Sequence, residues 1–376
     1  MSFKICTVII YFSINLISAQ ITNAMETFAL PISLNESSGI LFYNSKIITH
    51  NDSGNLNQLY ELDLNTQTVT RTVTITNASN TDWEDIAQDD THIYVGDFGN
   101  NNGNRTDLKI YKISKSDYNA STSVTAEIIN FNYANQLDFT SSPNTNPWDA
   151  EALLSLNANT LLIISKNWVD GISNAYAVPK TPGTYSLSPL PTALNSGGLI
   201  TGATCNTFSG IVYLTGYTDS LQPFIWTCEN FSGNDVFSGT NTFTSLNSTF
   251  GFEQVEAISF INENSYYMTS EAFSVMRFSI TVSDYAKLMS FQTNDIALSL
   301  PENPDFKTHL YPNPVRDTLY VKGAKINSIA IFDATASLLY TGTKHTVSMD
   351  GFAQGVYFVK LYLANGQVTV LPILKL

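Results

Sequence analysis

Charge is scarce in this chain of 376 residues: only 13% are Asp, Glu, Lys or Arg, about half the ~25% usual for a globular protein. Basic residues are scarcer still, 18 Lys and Arg against 32 Asp and Glu, a formal charge of −14. So acidic a balance excludes a nucleic-acid binder, whose phosphate contacts require a basic face. Three cysteines are too few for a disulfide-stapled scaffold. After the N-terminal segment no apolar run approaches the ~20 residues that span a bilayer, so no transmembrane segment is expected in the mature protein. Catalytic signatures are missing too. The chain has no Gly-x-Ser-x-Gly elbow, no His-Glu-x-x-His, no Cys-x-x-Cys and no Gly-Lys-Ser/Thr phosphate loop. What remains is 43% hydrophobic and 12% aromatic, with Asn, Thr and Ser as the polar filler. That mixture suits strands and turns and excludes a disordered chain.

The N-terminus has Lys4, an apolar run from Ile5 to Ile17, and then Ser18-Ala19-Gln20. This is the pattern of a secretory signal peptide, residues 1–19. Its removal takes Cys6 and leaves Cys205 and Cys228. Two alternatives stay open for these: a disulfide formed in an oxidising compartment, or two buried thiols.

Residues 20–300 contain a degenerate repeat, an acidic or polar residue followed by a small and then an aliphatic one. It recurs at Glu36–Ile40, Trp83–Ile86, Asp149–Leu153, Ile200–Ala203 and Val255–Ile258. Aligning Ser38, Glu84, Glu151, Thr201 and Glu256 gives steps of 46, 67, 50 and 55 residues. Each segment is followed by a second strand pattern (Lys46–His50, His92–Val95, Leu161–Ile164, Ile211–Leu214, Tyr266–Thr269). A third follows each of these (Gln58–Leu62, Leu108–Ile113, Asn174–Val178, Pro223–Trp226, Val275–Ile280). A lone four-stranded unit of this size cannot cover its own faces and stacks radially. The expectation is an all-β chain with a five-bladed β-propeller. Six blades are the alternative if the 67-residue step hides strands, and stacked sandwiches are a further one. Thr27–Leu30 is expected to complete the last blade and close the ring.

In a propeller, the loops entering the innermost strands and those leaving the second strands share one face. The first set supplies Glu36, Glu84, Asp85, Glu151 and Glu256; the second supplies His50, Asp52, Asp97, Lys166, Tyr217 and Glu271. Carboxylates held close raise each other's pKa or recruit a cation, and hard oxygen donors favour Ca²⁺. Glu84, Asp85, Asp97, Glu151, Glu256 and Glu271 are therefore the candidate metal ligands, and Ca²⁺ the candidate cofactor. Glu36, His50, Asp52, Lys166, Tyr217 and Arg105 are candidates for binding a small-molecule or surface ligand. The alternative is that these carboxylates accept loop hydrogen bonds or are solvated. Asp97–Arg105, rich in Asn and Gly, is a polar loop that is either structural or part of this site. Trp83 and Trp148 are expected to wedge neighbouring blades.

A linker with two prolines, residues 301–308, leads to Tyr311-Pro-Asn-Pro314, Asp317–Val321, Ile329–Asp333, Val347–Gly351 and Gly355-Val-Tyr-Phe-Val359. Residues 309–376 resemble the C-terminal sorting domain of type IX secretion cargo of Bacteroidetes. They depart from its pattern at Ala336 and Pro372. The resemblance implies recognition by the type IX machinery and a secreted or outer-membrane surface-attached protein. The alternating strands and Gly turns also suit a small antiparallel sandwich. Asp82–Ala87 together with Tyr94–Asn101 is similar to secreted phytase-like and esterase-like propellers. That similarity implies a second function, a Ca²⁺-dependent hydrolase of the phosphoesterase kind using the same carboxylates. Whether the chain is an enzyme stays open on sequence alone. Residues 20–304 hold 10 Lys and Arg against 28 Asp and Glu, so the acidity lies in the repeat segment.

Overall fold

The structure, a computed structural model, describes residues 21–295 and 309–376, except 278–279, 323–325, 335–336 and 364–367. The expected signal peptide, the expected linker at 301–308 and Ala336 lie outside the described residues. The chain divides into two compact units, 1–299 and 300–376.

Five innermost strands build the first unit: Ser37–Tyr43, Trp83–Gln88, Ala150–Ser155, Leu199–Cys205 and Val255–Asn262. Each packs against the next, and Val255–Asn262 returns to pack against Ser37–Tyr43. The ring therefore closes at five blades. These strands are nearly continuous runs of buried residues, as expected where both strand faces are covered.

Outward from each, antiparallel strands follow in chain order. The fourth blade is regular, adding Val212–Tyr217, Pro223–Glu229 and Thr240–Ser245. The long second step hides no sixth blade. Its extra residues form Ser123–Val124, which pairs in parallel with the outer strand Thr68–Ile75 of the first blade, and the loop 134–149. The second blade in turn borrows Gly183–Leu187, paired in parallel with Glu127–Tyr133.

The fifth blade corrects one expectation. Its third strand is Lys287–Gln292, not Val275–Ile280. Phe273–Arg277 pairs instead with Ile280–Asp284 in a separate hairpin. Leu288, Met289 and Phe291 supply the buried side chains that a third strand needs, which the largely exposed 274–276 stretch does not. Thr22–Ala29 pairs with Lys287–Gln292 as the fourth strand, so the chain start closes the ring.

All five innermost strands carry a register shift at their mouth end, between Ser37 and Gly39, Trp83 and Ile86, Ala150 and Ala152, Ile200 and Gly202, and Val255 and Ala257. A β-bulge adds one unpaired residue and re-aims its side chain. The bulged segments contain Ser38, Glu84–Asp85, Glu151, Thr201 and Glu256, the aligned positions of the repeat. Ser38 Oγ donates to the Glu84 carbonyl at 2.6 Å and Thr201 Oγ1 to the Val255 carbonyl at 2.5 Å. The repeat is thus a bulge signature that ties neighbouring blades at the channel.

Trp83 is fully buried between the first two blades, its ring near those of His50 and Tyr111. Trp148 packs on Tyr133. Cys205 and Cys228 are buried free thiols. Val212 lies between them in the sheet, paired to both, which sets them two strand spacings apart, roughly 9–10 Å. A disulfide needs Cα atoms within about 7 Å.

The second unit is a sandwich of two antiparallel sheets. One contains His309–Tyr311, Thr318–Lys322 and Thr346–Ser348; the other contains Ile326–Phe332, Leu338–Gly342, Gly355–Leu363 and Val368–Lys375. Val315, Leu319, Ile329, Ile331, Val347, Val359 and Leu361 form its core. Pro372 sits in Val368–Lys375, an edge strand of its sheet, where a missing N–H is tolerated.

Candidate site at the channel mouth

The bulged strands and the loops beside them surround a cavity of about 360 Å³. Asp52, Glu84, Glu151, Lys166, Tyr217, Glu256 and Glu271 line it, together with Ser38, Trp168, Gln254, Asn101, Asn102, Pro143 and Asn144. Seven of the residues expected at the mouth therefore converge from all five blades.

The other five lie elsewhere, each for a visible reason. Glu36 is exposed and accepts from Asn55 Nδ2 at 2.5 Å. His50 is wholly buried beneath the mouth; burial lowers its pKa to about 4, so it is neutral. Asp97 is buried and takes Arg105 Nη2 at 2.9 Å, and the Arg105 guanidinium also donates to the Gly99 carbonyl at 2.8 Å and to Asp107 at 3.0 Å. Asp97 and Arg105 thus brace the Asn/Gly loop against itself. Asp85 sits at the hub of the ring. Its Oδ1 accepts from the Ile86 amide at 2.8 Å, and its Oδ2 from the amides of Leu153 at 2.9 Å and Ala203 at 3.1 Å. One carboxylate therefore joins the second, third and fourth blades.

Inside the cavity the single lysine has a defined role. Lys166 Nζ forms a very short ion pair with Glu151 Oε1 and lies 4.9 Å from the Trp168 ring centroid and 5.7 Å from that of Tyr217. Burial alone would lower its pKa, but the charges of Glu151, Tyr217, Glu256 and Asp149 outweigh burial and raise it. Trp168 is held by its own hydrogen bond, Nε1 to Asp149 Oδ2 at 2.7 Å. Asp149 also accepts from the Asn100 amide at 2.6 Å, which anchors the Asn/Gly loop so that Asn101 and Asn102 face the cavity.

The carboxylates opposite have no such partner. Asp52, Asp82 and Glu84 each offer an oxygen, and the three lie within 4.8 Å of one another. Among the described residues none of the three forms an ion pair, and the 96%-buried Glu84 carboxylate has no hydrogen-bond partner. Gly99 makes this approach possible: a Cβ there would lie 1.9 Å from Glu84 Oε1 and 2.6 Å from Asp82 Oδ2.

Burial, then the neighbouring Asp52 and Asp149, raises Asp82 to about 7. Glu84 is pushed well above the usual range by burial and by Glu151, Asp52 and Asp82. Burial takes Glu151 to about 8 despite Lys166, and Glu271 to about 7. Glu256 is raised by burial and by Glu151 and Glu271. Such a pocket holds protons near neutral pH that an incoming cation would displace.

Sequence reasoning missed Trp168 and Gln254 as cavity residues and Asp82 as a neighbour of Glu84, whereas Asn101 and Asn102 lie in the Asp97–Arg105 loop, for which a place in this site was one of the two alternatives. Asp82 stands two residues before the bulged Glu84, a spacing shared by Gln254 before Glu256 and Asp149 before Glu151. That regularity was the available signal.

No curated protein matches this sequence. Among solved structures, hydrazine synthase of Kuenenia stuttgartiensis is 12% identical with TM-score 0.34, covering 91% of this chain and 97% of that one. A DUF4623 family protein of Bacteroides eggerthii is 11% identical with TM-score 0.36, covering 72% of each chain. The WD40 domain of Toxoplasma gondii coronin is 9% identical with TM-score 0.33, covering 75% of this chain and 88% of that one. These likenesses are too loose to bear on function, and the blade count rests on the closed ring of innermost strands. No helix among the described residues is long and apolar enough to cross a membrane. Residues 309–374 match the secretion system C-terminal sorting domain, so this propeller-bearing chain is cargo of the type IX secretion system, exported to the cell surface or beyond.

Proposed function

We propose that the exported propeller is a binding module whose acidic mouth takes a Ca²⁺ ion between Asp52, Asp82 and Glu84. The observation that carries this reading is the set of three convergent carboxylates without an internal cation, beside a lysine that already serves Glu151. Asn101 and Asn102, which line the same cavity, add neutral oxygen donors of the kind Ca²⁺ accepts. Of the ligands expected from sequence, Glu84 stays in the set and Asp52 and Asp82 join it. Glu151, Glu256 and Glu271 face the remainder of the cavity.

Calorimetric titration of the mature chain with Ca²⁺ tests this. Binding is expected to release protons, because the three carboxylates must ionise, so the apparent enthalpy will vary with the buffer. Asp52→Asn and Glu84→Gln are expected to abolish the heat. No heat and no rise in melting temperature at millimolar Ca²⁺ would overturn the reading.

One observation favours a second reading, a Ca²⁺-dependent hydrolase of the phosphoesterase kind. Glu151, Asp82 and Glu271 have pKa values near 7 to 8, the range that suits proton transfer at neutral pH. Turnover of phosphomonoesters or phosphodiesters, dependent on Ca²⁺ and lost in Glu151→Gln, separates an enzyme from a binding module.

A further inference from the structure

The face that carries the cavity exposes several of the propeller's large apolar side chains, while Met25 and Phe243 are exposed on outermost strands. Leu56, Leu137, Phe139, Val169, Phe252 and Met276 are 40% to 91% exposed. Five lie on loops that enter an innermost strand or leave a second strand, the loops of the mouth face, and Met276 lies in the Phe273–Asp284 hairpin inserted after the second strand of the fifth blade. On the opposite face, the turns at 44–45, 89–91, 156–159, 206–211 and 263–264 carry no exposed large hydrophobic among the described residues. Single exposed apolar residues are ordinary. Their concentration on one of the two loop faces, around an acidic cavity, is the layout of an interface with a charged centre.

The charge of that centre selects the occupant. Glu256 and Glu271 lie in the fifth blade, whose flanking loops supply Phe252 and Met276. Glu271 accepts only from the neutral Gln254 amide. Among the described residues neither glutamate forms an ion pair. The nearby bases are engaged elsewhere, Lys166 with Glu151, and Lys287 with Glu253 at 2.6 Å and Asp284 at 2.7 Å. We infer that this rim docks a polypeptide that directs a Lys or Arg side chain toward Glu256 and Glu271 while its neighbouring apolar side chains cover Phe252 and Met276. The inference goes beyond the cation seat at Asp52, Asp82 and Glu84, and the two use different carboxylates. A basic residue desolvated at the centre of an apolar ring is the arrangement in which interface energy concentrates.

The test is selection from a random dodecapeptide display library on the immobilised mature chain, with Ca²⁺ present. Enriched peptides are expected to share a Lys or Arg flanked by apolar residues. A synthetic peptide of the enriched sequence is expected to lose roughly tenfold or more in affinity when its basic residue becomes Gln. A similar loss is expected on the Phe252→Ser/Met276→Ser variant. That variant alters only exposed side chains, so its melting temperature and Ca²⁺ titration should match wild type. Ca²⁺ binding without peptide enrichment would overturn the docking inference and leave the cation seat standing. Peptide binding without a Ca²⁺ heat would do the reverse. Enriched peptides that are acidic or neutral, or whose affinity the rim variant does not change, would also overturn it.

Discussion

Removing the Asp85 carboxylate is expected to loosen the ring from its centre. In Asp85→Ala the buried amides of Ile86, Leu153 and Ala203 lose their acceptor. Leaving a buried donor unsatisfied costs about 1–3 kcal/mol. Against this stands the relief of a wholly buried carboxyl whose pKa burial pushes well above normal, although the three amides oppose that rise. Desolvation of a buried charge can offset much of its bonding energy. We therefore expect a net loss of about 2–4 kcal/mol. At roughly 2–4 °C per kcal/mol for a domain approaching this size, the melting temperature should fall by roughly 5–15 °C. Tryptophan fluorescence is the suitable assay, because Trp83, Trp148, Trp168 and Trp226 are all the tryptophans of the chain and all lie in the propeller. The signal thus follows this unit alone. Asp85→Asn keeps one oxygen but turns an NH₂ group toward an amide, so it should melt between alanine and wild type. An alanine variant that melts with wild type would refute the hub.

Three further outcomes are expected. In chelator, stability should fall as pH rises from about 4 to about 8. Asp82, Glu151 and Glu271 have folded pKa values raised to about 7, 8 and 7, so the native state holds protons that the unfolded chain releases. Melts across that range check this, and a flat or rising profile would contradict it. Gly99→Ala drives a methyl group into the Asp82 and Glu84 carboxylates and should weaken Ca²⁺ binding by roughly tenfold or more, read by calorimetry. Lys166→Met leaves Glu151 buried without its ion pair. It should lower stability most, by up to about 3–5 kcal/mol, above about pH 8, where Glu151 would otherwise ionise, and by less at neutral and lower pH, as fluorescence melts would show.

Much of the fold was legible because its signals are local. The strands announced themselves by apolar alternation, and blade spacing by recurrence of the acidic-small-aliphatic segment. Thr27–Leu30 was recognisable as the closing strand because the last blade lacked a partner. The error over Val275–Ile280 has the same origin: an apolar alternation describes a strand but not its neighbour, and here the neighbour is the other arm of a hairpin. At the mouth, loop position correctly brought Asp52, Glu84, Glu151, Lys166, Tyr217, Glu256 and Glu271 to one cavity. It failed for Asp97, which Arg105 occupies, and for Asp85. Adjacent residues in a strand face opposite sides, but a bulge interrupts that alternation, so the directions of Glu84 and Asp85 could not be derived from their order.

That the chain is all-β, that its repeat builds blades and that its end is a sorting domain each depend on residues within a few positions of one another, and so could be derived from their order alone. Which carboxylates meet could not. Asp52 and Glu84 come from adjacent blades, and the three amides that hold Asp85 come from three. Their distances follow from ring closure and from five bulges, which are properties of the whole circle and of no single segment.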